Sequence, residues 1–314
     1  MKKNLLKVSI KIYLPYAALI LGIFWLGACG TNTKLDDDNT GFQPDYGSDE
    51  TFEVISWNLR EFPWNGESTI RELAAIIPQL KVDVIAFQEI NDKDSFLELA
   101  RRIPHYSAYV YNATSSWRLA YLYDERTVDV KNCYTIYNGE TNPFPRPPYV
   151  LELSWQGEDL IIVNNHFKAF GDNHIDETDP WDEERRRRLA CEKLDTYIRT
   201  YWNEEKVIVL GDLNDQIHEP PEYNVFLPFL NKPQEYLFAD MEIAQNLTPA
   251  NVSYPPSFSH IDHILITNEL FSSFSHPQSS CNTLQMELMM GSWHNYYNLL
   301  SDHRPVAIKL FFQP

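Results

Sequence analysis

Carboxylates, carboxamides and histidines recur at the ends of apolar runs along this sequence. Asn58 directly follows the run Phe52–Trp57, and Gln88-Glu89 directly follows Val82–Phe87. Asn164-Asn165-His166 closes Leu160–Val163, and Asp212 and Asn214 follow Val207–Gly211. Asp262 lies within Ile261–Thr267, and Asp302-His303 precedes the last apolar run. Carboxylate and amide oxygens are hard ligands that suit Mg²⁺, Mn²⁺ or Ca²⁺ rather than zinc. Two histidines and a spare carboxylate supply proton transfer and charge stabilisation. Singly, each residue has a plainer explanation: Glu89 as a solvated strand end, Asn58 as a turn residue, Asp302 as a cap, His166 as a satisfied polar side chain. Their joint recurrence is what points to one convergent site.

For these residues to converge, their strands must pack at a common angle. The periodicity predicts strands at Phe52–Trp57, Val82–Phe87, His105–Tyr111, Arg118–Tyr123, Val128–Ile136, Tyr149–Trp155, Asp159–Asn165, Glu205–Gly211, Ile261–Thr267 and Pro305–Phe312. Helices are predicted over Glu67–Leu80, Ser95–Arg102 and Asp182–Trp202, the last burying Leu189, Leu194, Tyr197, Ile198 and Tyr201. Strands outnumber helices and several are joined as hairpins, so the expected architecture is α+β, with two packed sheets and helices on the outer faces. No linker interrupts residues 51–314, which read as a single domain.

The first 28 residues look like an address. Lys2, Lys3, Lys7 and Lys11 precede an apolar run that ends Leu26-Gly27-Ala28-Cys29. The run is short for a membrane span, which needs roughly 20 apolar residues, and small residues before a cysteine suit a processing protease. Leu-Gly-Ala-Cys resembles the bacterial lipobox. That resemblance implies a signal peptide at 1–28, a lipidated Cys29 and an extracytoplasmic protein tethered to a membrane of the cell envelope. Residues 29–50 then read as a flexible acidic tether.

The 314 residues carry 26 Lys+Arg against 44 Asp+Glu, a net charge of −18. Loss of the leader removes four lysines and no acid, so the exported part stands at −22. Such acidity excludes a protein that grips nucleic acid through a broad basic face. It is compatible with capture of a phosphate at one small site through a cation. Beside Cys29, Cys133, Cys191 and Cys281 allow at most one disulfide, and no spacing suits structural zinc.

The strings Ser56-Trp57-Asn58, Phe87-Gln88-Glu89, Asn165-His166-Phe167-Lys168, Gly211-Asp212-Leu213-Asn214, Ile261-Asp262-His263-Ile264 and Ser301-Asp302-His303-Arg304-Pro305 resemble the signature blocks of the endonuclease/exonuclease/phosphatase superfamily. They occur in that family's order across residues 56–305. The resemblance implies a deoxyribonuclease I-like four-layer α/β-sandwich and hydrolysis of phosphate esters by in-line attack of water, with Mg²⁺ or else Mn²⁺ or Ca²⁺. By the same resemblance, Asn58, Glu89 and Asp302 fall at metal-side positions, and Asp212 orients or deprotonates the water. Asn214 positions phosphate, and His303, paired with Asp262, contacts it. His166 matches a second histidine, and Arg146 a phosphate-contacting arginine.

One departure is visible. The hairpin segment Ser116–Tyr121, where the deoxyribonuclease branch commonly carries a glutamate for the first histidine, has no acid in register. The substrate is not fixed by the fold. A nuclease or phosphodiesterase acting on DNA or RNA is the first expectation. A sphingomyelinase-like or phosphoinositide-type phosphatase is the second, and a binding lipoprotein without turnover the third. No protein partner is inferred. The run Arg185-Arg186-Arg187-Arg188 is read either as a solvated helix face paired with preceding acids or as a grip, through Arg185 or Arg188, on a flanking phosphate.

Overall fold

The computed structural model describes residues 46–112 and 117–313. The leader, Cys29 and nearly all of the tether lie outside the described residues. Among the described residues, twelve strands form two six-stranded mixed sheets. The first holds β1 (Phe52–Phe62), β2 (Val84–Ile90), β3 (Tyr106–Val110), β4 (Arg118–Asp124), β11 (Ser280–Thr283) and β12 (Val306–Leu310), in the order β11-β12-β1-β2-β4-β3. The second holds β5 (Val128–Thr135), β6 (Tyr149–Trp155), β7 (Glu158–His166), β8 (Val207–Asp212), β9 (Tyr236–Phe238) and β10 (Asp262–Thr267), in the order β5-β6-β7-β8-β10-β9. The β1/β2 and β7/β8 pairs are parallel, and the other pairs are antiparallel.

Side chains alternate across each strand, and this alternation builds the layers. Phe52 and Val54 of β1 face the other sheet and meet Leu151, Ile162, Leu210 and Ile264. Ile55 and Trp57 face the opposite way, onto helices α1 (Glu67–Leu80) and α2 (Lys93–Arg102). Helix α3 (Glu183–Tyr201) covers the outer face of the second sheet through Ala190, Cys191, Leu194 and Ile198. The result is helix, sheet, sheet, helix, as expected. Short helices α4 (Leu227–Leu230), α5 (Met241–Gln245), α6 (Phe271–Phe274) and α7 (Trp293–Leu299) complete the chain.

Buried polar groups also join the two sheets. The Gln88 amide donates to Asn164 Oδ1 at 2.8 Å, and Asn164 donates in turn to the carbonyl of Phe87 at 2.9 Å. The Tyr121 hydroxyl donates to the Tyr149 carbonyl at 2.6 Å and accepts from the Asn164 N–H at 3.0 Å. Such paired buried groups are costly to break, at about 1–3 kcal/mol for each group left alone, and they fix how the two sets of strand ends meet.

Two details differ from the sequence reading, and the cysteines stay within its limit of at most one disulfide. Strand β1 runs on past Asn58 to Phe62 through a register shift against β2. In α3 the buried face rotates toward its N-terminus: Tyr201 is exposed, while Glu184 and Arg187 are buried. Cys133, Cys191 and Cys281 are all free thiols.

Candidate active site

The parallel β7/β8 pair sets His166 opposite Asp212, and the antiparallel β8/β10 pair sets Asp212 opposite Asp262. The β7/β8 approach depends on Gly211, whose φ is 144° and whose added Cβ would lie 1.9 Å from the Asn165 carbonyl oxygen. On the other sheet, the β1/β2 register sets Asn58 opposite Gln88, next to Glu89. Backbone strain gathers here. Glu89 and Asn214 have φ of 63° and 56°, and Arg60 and Glu61 have 41° and 54°. Non-glycine residues in this region cost of order 1–3 kcal/mol each and persist where surrounding contacts over-determine them.

Asn58 is the bridge between the sheets' contributions. Its Nδ2 donates to Asp212 Oδ2 at 2.9 Å and to Glu89 Oε1 at 3.1 Å. The second oxygen of Glu89 accepts the Glu61 N–H at 2.9 Å. His303 Nδ1 lies 2.9 Å from Asp262 Oδ2, and its Nε2 points to Asp212 Oδ2 at 3.9 Å. Ser301 ties the two sides: its hydroxyl donates to the Asn58 carbonyl at 2.6 Å and accepts the His303 N–H at 3.0 Å. Asn214 donates its N–H to Asp212 Oδ1 at 3.1 Å and its amide to the Phe167 carbonyl at 3.3 Å.

Burial raises the Asp212 carboxyl to about 7; His303 and the Asn58 amide oppose that rise, while Asp262 and Glu89 add to it. Burial works against a charge on His303, yet Asp262 and Asp212 outweigh it and push the imidazole up to about 10. His166 goes the other way. Burial, then the charges of Arg146 and His303, hold it well below the usual histidine range. Its Nε2 lies 3.5 Å from Asp212 and 3.8 Å from Glu89, and its Nδ1 has no hydrogen-bond partner among the described residues. No acid therefore meets its Nδ1, and the carboxylates His166 approaches lie at Nε2. Arg146 is in electrostatic reach of Glu89 and Asp212 and lies 5.0 Å over the Trp117 ring.

Glu89, His166, Asp212, Asn214, Asp302 and His303 border one open cavity of about 700 Å³. Ligand atoms of Glu89, His166 and Asp212 lie within 4.8 Å of one another, as do those of Asp212, Asp262 and His303. Asp302 belongs to neither group; it reaches Arg60 Nε at 3.6 Å. The donors fit a hard divalent cation. Two carboxylates, Glu89 and Asp212, share one Asn58 amide, and burial together with the nearby acids raises the Asp212 carboxyl. That like-charge crowding is what a cation relieves.

The four consecutive arginines are occupied. Arg185 and Arg188 pair with Glu177, Arg186 donates to the carbonyls of Asn142 and Thr141, and Arg187 holds Asp215 at 2.7 Å. The pairing with preceding acids holds for Arg185 and Arg188 and also for Arg187, which meets Glu184 one turn earlier at 3.1 Å, but Arg186 and Arg187 are buried rather than solvated. Two site neighbours escaped the sequence reading. Arg60, stacked on Trp64 at 3.9 Å and on Tyr297 at 4.3 Å, sits two residues after Asn58. Tyr254, 4.6 Å from the His303 ring, has no local signal.

A sheet sandwich with carboxylate, amide and histidine at the strand ends of one cavity defines a phosphoester-hydrolase type of site. The chain belongs to the endonuclease/exonuclease/phosphatase family, whose signature matches residues 55–303. No functionally curated sequence matches it. Its fold is shared by zebrafish (D. rerio) TDP2 complexed with a single-strand DNA product, at 14% identity, TM-score 0.60, and coverage of 83% of this chain and 98% of that one. A family protein from Bacteroides vulgatus matches at 16% identity, TM-score 0.59, with 84% and 99% covered. The human Nocturnin catalytic domain with bound sulfate matches at 17%, TM-score 0.59, with 84% and 94% covered.

Proposed function

We propose that this protein is a divalent-cation-dependent endonuclease or phosphodiesterase that hydrolyses phosphodiester bonds of DNA or RNA outside the cytoplasm. In this reading residues 1–28 are removed, Cys29 is lipidated, 29–50 form a tether and 51–314 the catalytic domain. The observation that carries the chemistry is the convergence on one cavity of Asp212, His303 and Glu89, with Asp262 bonded to His303 and Asn58 to Glu89 and Asp212 from behind.

Asp212, poised near neutrality, takes the proton of the attacking water. His303, charged and fixed in orientation by Asp262, donates to a non-bridging phosphate oxygen as negative charge develops there. Arg146 adds a second positive charge, and the Asn214 amide orients the phosphate. His166, held neutral, serves as a hydrogen-bonding group rather than a charged acid. Glu89, with Asp302 on the cavity wall, would hold a divalent cation, which when bound neutralises phosphate charge and lowers the pKa of nearby groups. Asn58, whose oxygen accepts the Arg60 N–H at 2.9 Å, orients Glu89 and Asp212 through its amide N–H. Trp117, Phe170 and Tyr254 border the cavity and offer flat faces to bases. This favours a nucleic acid over a lipid headgroup.

The test is a panel with the full-length protein in Mg²⁺, Mn²⁺ or Ca²⁺, on plasmid DNA, RNA, bis-p-nitrophenyl phosphate, sphingomyelin and inositol phosphates. Cleavage of nucleic acid without lipid hydrolysis is expected. Equal turnover by wild type and Asp212→Ala on every substrate would overturn the reading. For the anchor, Cys29→Ser should move the protein from the membrane to the soluble fraction; unchanged fractionation contradicts lipidation.

A further inference from the structure

Behind the catalytic loop lies a buried polar cluster that the chemistry above does not use. Asp240, His260 and His263 are each 1% exposed or less. Asp240 Oδ1 accepts the Ile264 N–H at 3.0 Å, and its Oδ2 lies 2.6 Å from His263 Nδ1 and 3.0 Å from His260 Nε2. His263 Nε2 reaches the Asp215 carbonyl at 2.8 Å. A carbonyl oxygen only accepts, so this nitrogen carries a proton and donates. Neighbouring residues of β10 thus point to opposite faces: Asp262 toward His303, and His263 under the loop that carries Asn214.

We propose that Asp240 and His263 are positioning residues for the loop 212–215, and so for Asp212 and Asn214. The proposal rests on the catalytic reading above. The loop needs such a hold because Asn214 is in the left-handed region, with φ of 56°. Its far end is pinned twice at Asp215, by Arg187 on the carboxylate and by His263 on the carbonyl. Asp240 fixes the His263 ring from the other side, as the buried carboxylate of an Asp–His pair does. The edges of Phe226 and Phe238 pack on the ring at 5.6 and 6.0 Å, which limits it to that orientation. His260 shares Asp240 but has no bond to the loop, since its Nδ1 is without a partner among the described residues. It is a built-in control.

The experiment compares His263→Phe with His260→Phe in the full-length protein, at a temperature where circular dichroism shows both folded. Two readouts are taken. In hydrogen exchange, His263→Phe should speed the amides of Leu213–Gln216 by tenfold or more relative to His260→Phe, with β8 and β10 equal in the two. In hydrolysis of bis-p-nitrophenyl phosphate, His263→Phe should lower kcat at least tenfold with KM within twofold, and His260→Phe should keep kcat within threefold. Equal loop exchange in the two variants overturns the proposal whatever the activity. Should both unfold, Asp240→Asn, which keeps the side chain's shape, must show the same loop-specific exchange or the proposal fails. A wild type that hydrolyses nothing while the exchange difference stands would sink the catalytic reading and leave the loop clamp intact.

Discussion

Strand β1 buries acids near both of its ends, yet only one end resembles a reaction centre. At its start, Glu53 and Asp83 are 1% and 5% exposed. At its far part, Asn58 is flanked by Glu89 and Asp212. Each end borders a hollow of similar size, about 610 Å³ beside Asp83 and about 700 Å³ beside Asp212. Cavity size therefore does not separate them, and neither does a perturbed carboxyl. Burial raises Glu53 to about 8 and Asp83 to about 6.

The partners separate them. Asp83 is used up structurally: its oxygens accept the Glu53 N–H at 2.9 Å and the Trp155 indole N–H at 3.1 Å. Glu53 takes the Thr51 hydroxyl and the Ser48 N–H, with Lys309 3.9 Å away. At the other end the acids face histidines and a shared amide, on backbone held in strained conformations around an open cavity. A buried acid becomes a candidate catalyst when its neighbours leave it chemical work to do.

Four measurements sharpen or break this contrast. The largest effect is expected from the cation side. Chelation with EDTA should lower hydrolysis by about 10³-fold or more, and Glu89→Gln by about 10²–10³-fold, as loss of a metal's charge stabilisation implies. Glu53→Gln should stay within twofold of wild type. A chelation-resistant enzyme would put the two ends on an equal footing.

Next comes His303. His303→Ala should lower kcat by about 10²–10³-fold, the range for removing one preorganised donor. The pH profile carries the sign. Activity should rise as Asp212 loses its proton, around 7 without cation and lower with it, and fall as His303 loses its proton near 10. His303→Gln should erase the alkaline limb; its survival would assign that limb elsewhere.

A smaller loss is expected for His166→Gln, about tenfold, because no carboxylate meets its Nδ1 to fix the ring as Asp262 fixes His303. A loss equal to that of His303→Ala would give it the larger role.

The smallest effect concerns stability. Glu53 binds its proton more tightly folded than unfolded, so its contribution is full below about 4.5 and is lost as pH rises through about 8. Glu53→Gln should therefore raise Tm by a few degrees relative to wild type at pH 9 and not at pH 5. The opposite order would mean that the start of β1 holds Glu53 charged.

The sequence made most of this legible because strand ends carry both signals at once. Val207–Gly211 announces a buried strand, and Asp212 and Asn214 immediately after it announce a site. Lost were features set by distant packing. Strands β9 and β11 are edge pieces of three and four residues, too short for a period to show. Arg186 and Arg187 read as solvated charge, but apart from Glu184 beside Arg187 the partners that bury them, the carbonyls of Asn142 and Thr141 and the Asp215 carboxylate, lie tens of residues away. Tyr254 reaches His303 from a loop with no motif. His263 stood inside a recognised block, yet its partner Asp240 lies 23 residues earlier, with no pattern to connect them.

The central claim is that Asp212, and not the buried acids at the start of β1, does the chemistry. The most direct test measures hydrolysis of plasmid DNA and bis-p-nitrophenyl phosphate in Mg²⁺ by wild type, Asp212→Asn and Glu53→Gln, each shown to be folded. The account predicts that Asp212→Asn is slower by about 10³-fold or more, as for loss of a general base at a metal-assisted site, while Glu53→Gln matches wild type. Wild-type rates in Asp212→Asn would contradict it.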